Sequence, residues 1–169
     1  MGVQVRGGNL LNFRGDALLL FHHSDVRPLG GTVAFADWRL NAAVSILWKR
    51  KSELFRFGQL TVVATQGKVP ANTIILTGLG AVPDLSSDLR REAYRLALQS
   101  AVNLGVSRIA VQGINIEDEV EDGSLKALES ALASSRMPNS LKVSLFPDHR
   151  VPVASQVSEK SETAKLAEK

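Results

Sequence analysis

Five short runs of Leu, Val and Ile constrain what this chain can fold into more than any other feature. They lie at residues 17–21 (ALLLF), 60–65 (LTVVAT), 73–77 (TIILT), 108–111 (RIAV) and 142–146 (KVSLF), and they are near-continuously apolar. A strand that alternates shows one face to water, whereas a continuously apolar strand is buried on both faces. The runs therefore predict a sheet covered by helices on each side, with a further strand around residues 3–6.

Three segments of helical period lie between the runs. From Asp37, read as an N-cap, Leu40, Val44, Leu47, Trp48 and Lys51 form one stripe, and Lys49, Arg50 and Lys51 complement the helix C-terminus. Ser86 or Ser87 caps a second helix. Its inward face is Leu89, Ala93, Leu96, Ala97, Ser100, Ala101 and Leu104, and Gly105 stops it. A third helix spans residues 123–135 behind an acidic start, with Leu125, Leu128, Ala131 and Leu132 inward. Strand, helix and strand in succession require right-handed parallel crossovers. Residues 66–72 are too few for such a crossover, so the strands on either side of them should pair as an antiparallel hairpin. The expected fold is α/β, a three-layer α/β/α sandwich with a mixed sheet. It occupies residues 1–150, and residues 151–169, rich in Ser, Lys, Glu and Ala, read as a solvated polar tail.

Composition removes several classes of function. The 169 residues include no cysteine, which excludes disulfides and thiolate metal clusters and makes the cytoplasm the expected compartment. No apolar window approaches the length of a membrane span. A net charge of +3 is too mild to imply nucleic acid.

Two glycine-rich loops are the main candidates for binding. Gly78, Leu79 and Gly80 follow a strand and precede a capped helix, and Gly30 and Gly31 lead toward Asp37. Glycines there read either as plain turns or as places where the backbone approaches a phosphate-bearing ligand. The full dinucleotide fingerprint is lacking. His22 and His23 are adjacent in an extended segment and so point to opposite faces, and with His149 the only other histidine a metal cage lacks ligands. The acidic residues 117–122 read as a loop that starts a helix or as a hard-cation site. The basic group Lys49, Arg50, Lys51 and Arg56 reads as a solvated helix end. Trp48 falls on the apolar stripe, while Trp38 is the candidate for an interface or pocket wall. No GxSxG exists and cysteine is absent, so no nucleophile arrangement and no catalytic residue is read, and with so few metal ligands no metal site or cofactor is expected.

Several of these stretches carry a family resemblance. Asp37-Trp38-Arg39-Leu40-Asn41, Phe55-Arg56-Phe57-Gly58-Gln59, the strand ending Thr77-Gly78-Leu79-Gly80, and Leu89-Arg90-Arg91-Glu92-Ala93 leading to Gly105 are similar to the N-terminal domain of the leucyl (cytosol) aminopeptidase family. The resemblance covers roughly residues 10–135 and implies a macro-domain-like fold. In that family the metals and catalytic residues belong to a C-terminal domain with an Asn-Thr-Asp-Ala-Glu-Gly-Arg signature, which no stretch here matches. It thus implies a stand-alone domain, noncatalytic by itself, that acts as an oligomerisation, interaction or regulatory module with itself or a partner protein. The alternative it implies is a macro-domain-type module for ADP-ribose or another nucleotide. His22-His23-Ser24-Asp25 stands where the macro-domain Asn-Ala-Ala-Asn stretch is expected.

Overall fold

A computed structural model describes residues 2–119 and 123–148. The predicted tail, His149 and part of the acidic segment lie outside the described residues. Among the described residues six strands, β1 (Val3–Val5), β2 (Ala17–His22), β3 (Leu60–Ala64), β4 (Thr73–Gly78), β5 (Arg108–Gln112) and β6 (Lys142–Phe146), form one sheet in the order β1-β6-β5-β2-β4-β3. All neighbours are parallel except β3 and β4, the expected antiparallel hairpin. The α-helices of the described residues, α1 (Gly31–Arg39), α2 (Ala43–Arg50), α3 (Ser87–Asn103) and α4 (Ser124–Ser134), cover the sheet.

The two cores follow from the pleat. Leu18 and Leu20 of β2 face Val33, Val44 and Trp48 of α1 and α2, while Leu19 and Phe21 face Ala93, Tyr94 and Leu128 of α3 and α4. Every residue of β2 is buried because it has neighbours on both edges and both faces. Each such leucine contributes about 1.5–3 kcal/mol through its burial.

The first helix differs from the sequence reading. Asp37 does not start a helix; it lies near the end of α1, and the stripe from Leu40 onward belongs partly to α2. Asn41 and Ala42 adopt left-handed conformations, φ 56° and 64°, and break the helix between the two segments. The Asp37 carboxylate then accepts the Ser45 backbone N–H at 2.9 Å and the Ser45 hydroxyl, so it caps α2 from the preceding helix. Leu40, Val44 and Trp48 are buried as predicted, whereas Leu47 is half-buried and Lys51 exposed.

The buried face of α3 is rotated from the predicted stripe. Ser86 caps it and Gly105 follows it with φ +72°, but Arg90, Tyr94 and Leu98 turn inward while Leu104 is 48% exposed. Polar partners beneath the helix explain the rotation. The Tyr94 hydroxyl accepts from Ile114 N–H and donates to Gln112 C=O, and Arg90 reaches Glu119. In α4, Ser124, Ala127, Leu128 and Ala131 are buried, with Leu125 and Leu132 half-buried.

Asp16, just before β2, ties that strand to β5. Its carboxylate accepts N–H bonds from Ser107 and Arg108, both at 2.8 Å, and these hold its pKa below the ordinary carboxylate value. A depressed carboxylate stabilises the fold above its unfolded pKa, and that contribution disappears as pH falls through the folded value. Asp16→Asn is expected to cost about 1 kcal/mol at neutral pH, a figure reduced for the site's partial exposure. Urea unfolding at neutral pH and in acid below the carboxylate range should show the gap between variant and parent closing in acid. An undiminished gap would refute the assignment.

Candidate functional site

The parallel strands β2, β4, β5 and β6 end at one edge of the sheet, where open α/β folds place ligands. The β2–β5 register runs from Ala17↔Ile109 to Leu19↔Val111. Beyond it the Gln112 side chain takes over, its Oε1 accepting the Phe21 N–H at 2.9 Å. Above this point lies a crevice bordered by His22, His23, Leu79, Gln112, Asn115 and Asp148. Its volume of ≈ 40 Å³ suits a water or two. Ligand pockets for drug-sized molecules run to about 300 Å³ or more.

The loop of Gly78, Leu79 and Gly80 reaches this edge, and its backbone N–H groups are spent within the protein. Gly78 donates to Gln59 C=O at 2.9 Å, Leu79 to His22 C=O at 3.0 Å and Gly80 to Phe55 C=O at 3.0 Å. A Cβ on Gly78 would collide with the Arg56 carbonyl oxygen and lie 2.5 Å from the Phe55 carbonyl carbon. The backbone that approaches this glycine is therefore the chain's own turn at residues 55–58. Gly80 needs its hydrogen for a different reason, a φ of +70°. Leu79 is buried against the α3 side of the core.

Gly30 is the N-cap of α1, in an extended conformation, and among the described residues beyond its chain neighbours a Cβ placed on it would have only Val26 Cγ1 within 4 Å, at 3.9 Å. Gly31 opens the helix at φ 56°. The Gly30 N–H donates to His22 Nε2 at 3.2 Å, which leaves the His22 proton on Nδ1, donated to His23 C=O at 2.8 Å. His22 thus locks the glycine loop to the end of β2, with its ring packed on Trp48 and Phe55. The Arg27 guanidinium lies 3.9 Å from the Trp48 ring centroid. The ring of His23 turns instead to Gly80 C=O at 3.1 Å. Asp25 accepts the Val82 N–H, joining the two glycine loops from outside the crevice.

The structure brings Gly30, Gly78, Leu79 and Gly80 around one strand edge through His22 and His23. Asp37 is not among them, since it serves α2. Trp38 is 78% exposed on α1, one turn from Phe35, which is 67% exposed. Sequence reasoning misses Phe35 as the partner of Trp38, although the i, i+3 spacing on the side away from Val33 and Ala36 is its signal. Glu119 of the acidic segment is bound to Arg90. Among the described residues no group of three His, Cys, Asp or Glu side chains is placed to hold a metal ion. No helix among them is long and apolar enough to cross a membrane.

Comparison with known proteins agrees with this architecture. A "Probable cytosol aminopeptidase" of Sulfurihydrogenibium sp. is 26% identical over 132 residues, which cover 78% of this chain and 26% of that protein. The chain thus spans about a quarter of the length of such relatives. A tomato leucine aminopeptidase mutant shares the fold with a TM-score of 0.67 and 15% identity, over 95% of this chain and 35% of that one. The Oceanobacillus iheyensis macrodomain with ADP shares it with a TM-score of 0.68 and 13% identity, over 98% of this chain and 92% of that one. Residues 18–136 match the model of the cytosol aminopeptidase family's N-terminal domain, so the chain belongs to that domain family.

Proposed function

We propose that this domain is a noncatalytic interaction module that self-associates or docks on an aminopeptidase-type catalytic chain. The observation that carries the reading is the pair Phe35 and Trp38, two large aromatic side chains exposed together on α1. Aromatic residues concentrate at interface centres because they bury much area with few rotatable bonds. On a folded domain such a pair supplies binding energy and contributes little to the core. The double variant Phe35→Ser, Trp38→Ser should therefore keep the parent's thermal stability and lose its assembly. Light scattering after size exclusion, with and without an aminopeptidase chain, measures this. A strictly monomeric parent that binds no such chain would overturn the reading.

A second reading, capture of a phosphate-bearing molecule such as ADP-ribose, is supported by the open space at Gly30 beside the α1 N-terminus. It requires the crevice to widen from its ≈ 40 Å³. Calorimetric titration with ADP-ribose should then give heat that Gly30→Val abolishes, because the added side chain occupies the approach. No heat at millimolar ligand would remove this reading.

A further inference from the structure

We infer that the edge of β3 is a docking site for an extended acidic peptide, which adds a further strand to the sheet. β3 ends the strand order, and among the described residues it pairs with β4 alone. The Gly78 N–H donates to Gln59 C=O and the Thr65 N–H to Asn72 C=O. In this register the backbone groups of Thr61 and Val63 point to β4, and those of Leu60, Val62 and Ala64 point outward. Sheets usually blunt such an edge with charge, proline or a bulge. Leu60–Ala64 has neither a charged residue nor a proline.

The surroundings specify the guest. Leu60 packs toward the α3 core and Val63 toward the α2 core, so Leu60, Val62 and Ala64 share the α3 face, where Val62 is 49% exposed. On the α2 side two open grooves of ≈ 550 and ≈ 630 Å³ run beside the strand. Arg50 borders both, with Lys51 on one and Lys68 on the other. Among the described residues the one carboxylate lining them is Glu53, already paired with Arg56 at 3.1 Å. Side chains of an added strand alternate between faces. A fitting guest therefore sets acidic residues toward Arg50, Lys51 and Lys68 and apolar residues toward Val62. A second copy fits less well, because two-fold antiparallel pairing of β3 with itself brings two such basic sets to the same side of the joined sheet.

The probe is a fluorescein-labelled, end-blocked heptapeptide alternating glutamate and valine, added to the full chain. Expected are saturable binding, weakened by salt, and slowed amide exchange at Leu60, Val62 and Ala64. A peptide with lysine in place of glutamate, and the parent peptide on the double variant Arg50→Glu, Lys51→Glu, should each bind at least about tenfold more weakly. Val62→Pro removes an outward N–H without touching the β4 ladder and should abolish binding. If that variant unfolds, a peptide N-methylated at its valines makes the same test from the guest side. Equal binding of the lysine peptide, unchanged exchange at the three amides, or protection that rises with protein concentration in the absence of peptide would each overturn the inference, the last by assigning the edge to a second copy.

Discussion

Replacing Glu119 by alanine should destabilise the domain by about 3 kcal/mol, the low end of the range for breaking a buried ion pair. Arg90 is 4% exposed on the inner face of α3, and its guanidinium meets the Glu119 carboxylate through two bonds of 2.6 and 2.9 Å. Among the described residues its remaining hydrogen bond is a longer one to Ile114 C=O, 3.3 Å, and Nε has no hydrogen-bond partner. Removing the carboxylate leaves a buried cation without its counter-charge. The Glu119 side chain is 28% exposed, which lets some water follow and favours the lower end of the range. For a domain of this size the melting temperature should fall by about 6–12 °C. Arg90→Met, Glu119→Ala should recover much of the loss, since the double change removes both charges and refills the space. Calorimetry on the two variants decides it; a Glu119→Ala midpoint within a degree of the parent would show that Arg90 is solvated by another route.

The same ion pair marks where local sequence reading stops. The continuously apolar run at Ala17–Phe21 is legible because burial on both faces leaves a one-dimensional record, and β2 stands inside the sheet as that record requires. The hairpin of β3 and β4 is legible because chain length forbids the alternative. The break between α1 and α2 is hidden because Leu40, Val44 and Trp48 keep their fourfold spacing and their burial across it. Nothing in that spacing reports the left-handed turn at Asn41 and Ala42. Arg90 is absent from the predicted inward stripe because only the fold brings Glu119 beneath it, from the loop after β5. The glycine loop fails in the same way: the sequence shows that Gly78 admits close approach, and only the fold shows that Phe55 and Arg56 are what approaches. Exposure of Phe35 and Trp38 likewise depends on which side of α1 meets the sheet.

Gly78→Val is expected to be the most damaging single change at the strand edge, at about 4 kcal/mol. Gly78 has no positive φ, so the cost comes from collision, not from backbone preference. The new Cβ meets backbone atoms of Phe55 and Arg56, which cannot swing aside as a flexible side chain does. Displacing that turn strains the packing by about 1–3 kcal/mol and loosens two hydrogen bonds worth about 1 kcal/mol each. These are Gly58 N–H to Gly78 C=O and Gly80 N–H to Phe55 C=O, both 3.0 Å. Phe55 is fully buried against Trp48 and His22, so its movement also disturbs the contact that seats Gly30. Gly30→Val is the matched control, because φ −120° and ψ 167° suit a β-branched residue and the nearest atom leaves room. It should lose about 1 kcal/mol, the ordinary cost of an aliphatic residue in place of glycine at an N-cap, and so stay well short of Gly78→Val. Urea midpoints for the two variants separate the roles of the two loops. Loss of ADP-ribose binding in Gly78→Val would report only a disturbed fold, whereas loss in a Gly30→Val variant that is still fully folded at the assay temperature would report contact with the ligand. Equal stability of the two variants would sink the assignment of Gly78 to internal close approach.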